Sequence, residues 1–319
     1  MDWLTEKAAS AEVLTQAQAM AVATAPDDAL PAILAAATAV RRRRFGDRAR
    51  LCSILNARSG LCGEDCAFCA QSVRHATGVP QYAFLGDEEI VAAYDRASGL
   101  PIGHFGVVTS GKSVADDELD RLCEIVRSHG GGRVAWCASL GKLSEAQLRR
   151  LKAAGLTRYH HNLETAESYF PRICTTHTYA DRVSTVLAAR RAGLEVCSGG
   201  LFGLGEGPEQ RVQLATALRE LGVGSIPLNF LVPIPGTPAA AFARPLTPTE
   251  ILKTIAMFRL VCPDAEIKVC AGREQHLGER EKDIFAAGAT GMMIGGYLTV
   301  RGRAVEQDLD FLGRAGMKP

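Results

Sequence analysis

The chain has 319 residues, 47% hydrophobic and 22% charged, which excludes a disordered or fibrous protein and supplies a core for one barrel-sized domain. Lysine and arginine number 36 against 35 aspartate and glutamate, so a net charge of +1 leaves no electrostatic footprint for nucleic acid or a membrane surface. Asp2, Glu6 and Glu12 stand where a secretory signal would be apolar, and no stretch is long enough to span a bilayer; ten cysteines are then expected in a reducing, cytoplasmic setting, as metal ligands or small packed side chains rather than disulfides.

Residues 1–45 read as an Ala-rich helical extension lying outside the main domain, residues 46–319. The run Arg41 to Arg44 is expected at the solvated end of a helix, where arginine suits the negative end of the dipole. A first strand at 51–56 leads into Cys62, Cys66 and Cys69, spaced C-x3-C-x2-C. An iron–sulfur cluster normally takes four cysteines, so three on one short loop leave an iron open to a small molecule. Structural zinc, with His75 or Asp65 as fourth ligand, and a cluster completed by a distant cysteine are the alternatives that spacing allows. Zinc modules usually add a second ligand pair downstream, whereas the next cysteine, Cys123, lies in a helical pattern.

From there one unit repeats: a strand, a loop, an amphipathic helix and a small-residue stop. Strands are predicted at 104–109, 133–138, 156–163, 194–198, 225–231, 265–270 and 289–294. The helix over Lys142 to Ala154 shows the grammar, with Ser144 and Gln147 as a capping box, Leu148 and Leu151 on one face and Gly155 as the stop. The stop recurs at Ala192-Gly193, Leu221-Gly222 and Ala287-Gly288, and Pro233, Pro235 and Pro238 interrupt regular structure once. Eight alternating units fit a closed (β/α)8 barrel of TIM type or a doubly wound open sheet. Several cysteines, Asn162, Glu164, Asn229 and Arg273 fall at or beyond strand C-terminal ends, which favours the barrel, whose chemistry sits at that mouth.

With Phe68 just before its last cysteine, the loop resembles the signature of radical S-adenosylmethionine (SAM) enzymes. Nearly the whole chain resembles the biotin synthases. The motifs are Ser59 to Ser72, Leu140 to Ser144, His161 to Thr165, Thr175 to Tyr179, Val196 to Gly200, Gly203 to Glu206 and Ala271 to Gln275. The last, AGREQ, is much less expected in other barrel-type radical SAM enzymes such as hydrogenase-cofactor maturases or methylornithine-forming relatives. A non-catalytic metal-binding scaffold would leave Asn162, Glu164 and Asn229 without work.

The resemblance implies sulfur insertion into dethiobiotin, with a 4Fe-4S cluster on Cys62, Cys66 and Cys69 binding SAM and an auxiliary cluster as sulfur donor. It further implies a flavodoxin- or ferredoxin-type electron donor and allows a homodimer. Carried over by position, the SAM contacts fall on Asn162, Glu164 and Arg182, and the substrate contacts on Asn162, Asn229 and Thr299. Family ligands of a 2Fe-2S auxiliary cluster match Cys137, Cys197 and Arg273, while a third cysteine position holds Gly106. Glycine cannot ligate iron. Cys174 and Cys270 stand where the family pattern has no ligand, so a four-iron auxiliary cluster on Cys137, Cys174, Cys197 and Cys270 is expected, with Arg273 beside it. Cys52, Cys123 and Cys262 carry no motif and read as packing residues, and His160 and His161 as pocket wall.

Overall fold

Local signals set each repeat. Ser144 accepts from the Gln147 amide at 3.3 Å while Gln147 Oε1 accepts from the Ser144 amide at 3.0 Å, opening the helix Glu145–Ala154. Leu148 and Leu151 are buried, and Gly155 ends the helix in left-handed backbone at φ +109°. Thr178 with Asp181 and Thr247 with Glu250 open Tyr179–Arg191 and Pro248–Val261 in the same way.

The computed structural model describes residues 2–10, 12–300 and 302–319. Its strands are β1 (Cys52–Arg58), β2 (His104–Thr109), β3 (Ala135–Ser139), β4 (Arg158–His160), β5 (Glu195–Cys197), β6 (Gly200–Phe202), β7 (Ser225–Phe230), β8 (Glu266–Val269) and β9 (Gly291–Met292). Adjacent strands are parallel, and a parallel bridge from Cys52 to Met293 joins the last strand to the first. The sheet closes into a barrel. There are nine segments rather than eight because β5 and β6 are one barrel strand broken at Ser198 and Gly199, both halves pairing with β7. A Cβ on Gly199 would lie 1.9 Å from the Pro227 carbonyl oxygen, so the break brings the chain against β7 more closely than any side chain permits.

Register fixes what points inward. Cys52 pairs with His104, and Gly106, two residues on, pairs with Cys137. Cys137 pairs with Arg158, and His160, two residues on, with Cys197. Cys197 pairs with Ser225, and Pro227 with Lys268; Lys268 pairs with Gly291, and Met293 returns to Cys52. This stagger, closing on itself, is that of an eight-stranded barrel, in which alternate strands contribute to each layer of interior side chains. One layer is therefore Cys52, Cys137, Cys197 and Lys268. The layer above it is Gly106, His160, Pro227 and Met293, and all eight residues line one cavity of about 450 Å³.

Helices Gln16–Ala23 and Leu30–Phe45 pack against Pro248–Val261 outside the barrel, and Asp2–Ser10 packs in turn on Leu30–Phe45. That cover explains why every residue from Ile251 to Val261 is buried. Of the four arginines expected in solvent, Arg41 is instead 3% exposed. It donates to the Phe285 carbonyl at 3.1 Å and pairs with Asp47 at 2.9 Å, because the helix lays that face on the segment before β9. Among the described residues no single helix is long and apolar enough to cross a membrane.

Candidate functional site

The loop after β1 presents Cys62, Cys66 and Cys69 at the barrel mouth, the first two buried and the third half-buried. The Cys62 amide donates to Gln71 O at 3.0 Å and Val73 N to Cys62 O at 2.9 Å, while Cys69 N closes a turn on Cys66 O at 2.9 Å. Ala67 ties the loop to the far wall, its amide on Ile173 O at 2.8 Å and its carbonyl accepting from Ala239 N at 2.9 Å. Burial pushes the Cys69 thiol up to about 11, and the Cys62 sulfur adds to the rise. A thiol whose ionisation is opposed by burial and by a neighbouring sulfur is a donor that a cationic iron–sulfur core relieves. Phe68 packs beside Cys66 and Cys69.

The two residues considered as a fourth zinc ligand are tied to the loop to different degrees. His75 Nδ1 is engaged with Cys69 O at 2.8 Å, which leaves Nε2 as the ring nitrogen that could ligate. Asp65 Oδ1 accepts from the Thr175 and Thr176 amides at 2.9 and 3.1 Å, bonds that hold its carboxyl far below the usual range against the opposing effect of burial. The same contacts correct the placement of Cys174. Its sulfur lies 3.8 Å from Cys66 Sγ and 3.2 Å from both Asp65 Oδ1 and His177 Nδ1. Hydrogen bonding with Cys66, then with His177 and Thr176, lowers its pKa to about 4 although burial opposes this. Cys174 thus stands behind the three-cysteine loop, away from Cys137 and Cys197, because the loop after β4 is pinned to Asp65.

Beside this loop, Asn162, Glu164 and Arg182 converge. Asn162 Oδ1 accepts from Gly199 N at 2.9 Å, Asn162 Nδ2 donates to Glu164 Oε2 at 3.3 Å, and Arg182 Nη1 donates to Asn162 O at 2.9 Å. Arg182 lies 3.6 Å from Glu164 and 3.9 Å from Cys66 Sγ. Its side chain, 12% exposed, faces the cavity rather than the helix surface. Glu164 holds φ +70°, an uncommon conformation for a residue with a Cβ, and this turns its carboxylate into the site. Asn229, on β7, donates to Gly200 O at 3.3 Å and accepts from Ala271 N at 3.2 Å; Thr299 lines the opposite rim.

Deeper in the cavity stand Cys137, Cys197 and Cys270, together with Cys52. Burial pushes the Cys137 thiol up to about 12, and the neighbouring Cys197 and Cys52 sulfurs raise it further. Cys270 is likewise raised by burial and then by Cys52 and Cys197. His160 Nδ1 is 3.3 Å from Cys197 Sγ, its pKa lowered to about 4 by burial, and His161 lines the wall nearby.

Arg273 is not beside these thiols. Gly272, at φ +85°, turns the chain outward, and Arg273 is fully buried with Asp308 at 2.5 Å, Glu281 at 3.1 Å, Glu274 at 3.2 Å and the Tyr297 hydroxyl. The cations facing the thiols are Lys268 and Arg158. Burial works against the Lys268 ammonium, yet Cys52 and Glu266 hold its pKa above the usual lysine value.

Two family models match, the Radical SAM superfamily over residues 58–218 and the Biotin and Thiamin Synthesis associated domain over 227–318. Biotin synthase from Trichlorobacter lovleyi is 48% identical over 306 residues, 95% of this chain and 92% of that one. Biotin synthase from Geobacter sulfurreducens is 51% identical over 288 residues, 90% and 87% of the two chains. The chain belongs to the biotin synthase family. Its barrel also matches the structure of methylornithine synthase, with a TM-score of 0.86 at 21% identity over 99% of this chain and 97% of that one. The FeFe-hydrogenase maturase from Carboxydothermus hydrogenoformans gives 0.82 at 19% identity, over 99% and 78%. These two share the fold of a biotin synthase.

Sequence reasoning did not place Cys52, Lys268 and Arg158 in this cavity, which all three line. A signal existed: Cys52, Ile54 and Asn56 alternate along β1, and their parity becomes readable once the barrel's stagger is fixed.

Proposed function

We propose that this enzyme converts dethiobiotin to biotin by radical SAM sulfur insertion at two unactivated C–H positions. The observation that carries the reading is one cavity holding a three-thiol loop at its mouth and a second group of thiols at its floor, with Asn162, Glu164, Arg182 and Asn229 between them. When bound, the 4Fe-4S cluster with SAM supplies the hydrogen-abstracting radical, and the auxiliary cluster supplies sulfur.

The chain's own residues place the reactants. Cys62, Cys66 and Cys69 anchor the first cluster and leave one iron for SAM. Arg182 presents its planar fork to the SAM carboxylate, and the Glu164 carboxylate with the Asn162 amide suits a ribose diol. Asn229, with one donor and one acceptor on its amide, matches the ureido ring of dethiobiotin, and Thr299 receives the carboxylate tail at the rim. Cys137, Cys197 and Cys270 hold the auxiliary cluster, of four-iron rather than 2Fe-2S type, since Gly106 leaves the family's two-iron set incomplete. A flavodoxin- or ferredoxin-type protein supplies the electron.

Anaerobically reconstituted protein, reduced and given SAM and dethiobiotin, should form 5′-deoxyadenosine and biotin, both lost in Cys66→Ala. 5′-Deoxyadenosine without any biotin would refute the reading.

A further inference from the structure

The floor of the cavity is one ring of the barrel. Its four places, on the first, third, fifth and seventh barrel strands, are Cys52, Cys137, Cys197 and Lys268. Two residues above Lys268 on the same side of its strand is Cys270, two layers nearer the mouth and facing the same space. Three sulfurs lie in one ring and the fourth stands above the corner that Lys268 holds, on the same strand. The four donors therefore do not share a plane, as the four irons of a cubane do not, and four thiolates are the usual complement of that core.

The layer between supplies the room. A TIM-type interior is normally filled by branched side chains, but here Gly106 and Pro227 take two of its four places. A Cβ built on Gly106 would lie 3.2 Å from Ile54 Cγ2, 3.8 Å from the Ser53 carbonyl oxygen and 4.0 Å from the Cys137 Cβ. Glycine at this position both removes a ligand and opens the volume that a larger core occupies.

The charge is matched too. Lys268 completes the ring and is 2% exposed; Arg158, one layer below, is 7% exposed. Arg158 is shared between Glu195 at 2.9 Å and Glu266 at 3.2 Å, and Lys268 lies 3.6 Å from Glu266. One carboxylate thus lies between two buried cations and a third, more exposed one, Arg50. The surplus positive charge faces the thiols, where an anionic four-thiolate cluster would balance it.

We propose that Cys52 is the fourth ligand of the auxiliary cluster, which is a four-iron centre held by Cys52, Cys137, Cys197 and Cys270, with Lys268 beneath it as counter-ion. This rests on the biotin synthase reading for the cluster's purpose, but the ligand set is testable without turnover. Full-length protein reconstituted anaerobically should carry two four-iron clusters. Iron, acid-labile sulfide and Mössbauer spectra should show about half the iron lost in Cys52→Ala, with the SAM-induced change in the EPR signal of the remaining cluster intact. Cys52→Ser, nearly isosteric and still able to ligate through oxygen, should keep a four-iron centre with a shifted spectrum. Full iron in Cys52→Ala, or an unshifted spectrum in Cys52→Ser, would overturn the assignment. If the wild-type chain holds both clusters yet makes no biotin, the functional reading fails and the ligand set stands.

Discussion

Replacing Arg273 by alanine separates a structural arginine from a cluster-side one. The guanidinium and the Asp308 carboxylate it meets at 2.5 Å are both 0% exposed, and the Glu281 side chain, 3.1 Å from Nε, is 7% exposed. Removing the buried partner leaves Asp308, Glu281 and Glu274 to the partly exposed Arg303, and loss of one member of such a buried set costs about 3–5 kcal/mol. With an unfolding entropy of ~2.1 cal/mol/K per residue, a chain of 319 residues should melt about 4–8 °C lower. Burial already raises the Asp308 pKa, and Arg273 opposes the rise, so the variant's carboxyl moves up further. A group that binds its proton more readily folded than unfolded favours the folded state at low pH. Arg273→Ala should therefore recover part of its lost stability as pH falls below neutrality. Thermal melts of cluster-free protein across pH, paired with iron counts after reconstitution, read both effects. An unchanged melting temperature together with loss of auxiliary iron would show that Arg273 acts at the cluster and that the argument is wrong.

Cys174→Ala should keep the iron of both clusters, since its sulfur touches Asp65, His177 and Cys66 rather than the inner thiols; selective loss of auxiliary iron would contradict that placement. Asn229→Ala should weaken dethiobiotin binding by about 1–3 kcal/mol, or roughly 5- to 150-fold, while SAM binding is unchanged, and titration of each ligand separately checks it. For Glu266 burial opposes ionisation, but Lys268, Arg158 and Arg50 overcome it and lower the carboxyl from 4.5 to about 2. That depressed value contributes stability above pH 4.5 that is lost as pH falls toward 2. Acid unfolding of the cluster-free chain should show this loss, and Glu266→Gln should lack it.

The repeating units were legible because their signals are local. A capping box such as Ser144 with Gln147 and a stop such as Gly155 act over three or four residues, and the structure shows both at work. The mouth loop was legible for the same reason, three ligands lying within eight residues of sequence. What escaped depends on distant contacts. Cys174 follows β4 by spacing, but which thiols it approaches is decided by Asp65, more than a hundred residues earlier. Arg273 sits in a motif at the end of β8, and only the left-handed turn at Gly272 sends its side chain away from the mouth. Cys52 reads as a packing residue in the sequence because its place in the inner ring depends on the stagger between neighbouring strands, which no local pattern carries.

The bridge from Cys52 to Met293 also bears on biosynthesis. A ribosome releases β1 early, and the chain folds from that end while the remainder is still being made. The three-cysteine loop, ending at Cys69, is covalently complete long before β9 is made. The floor ring is not, because Lys268 and Cys270 arrive late and Cys52, already paired with His104 on one side, gains its other neighbour when its carbonyl receives the Ile294 amide at 3.0 Å. Pairing so remote in sequence forms slowly. Nascent chains stalled before residue 290 should therefore carry the outer ligands yet lack a finished inner cradle, which makes loading of the inner metal centre a step that waits for the last strand to pair with the first.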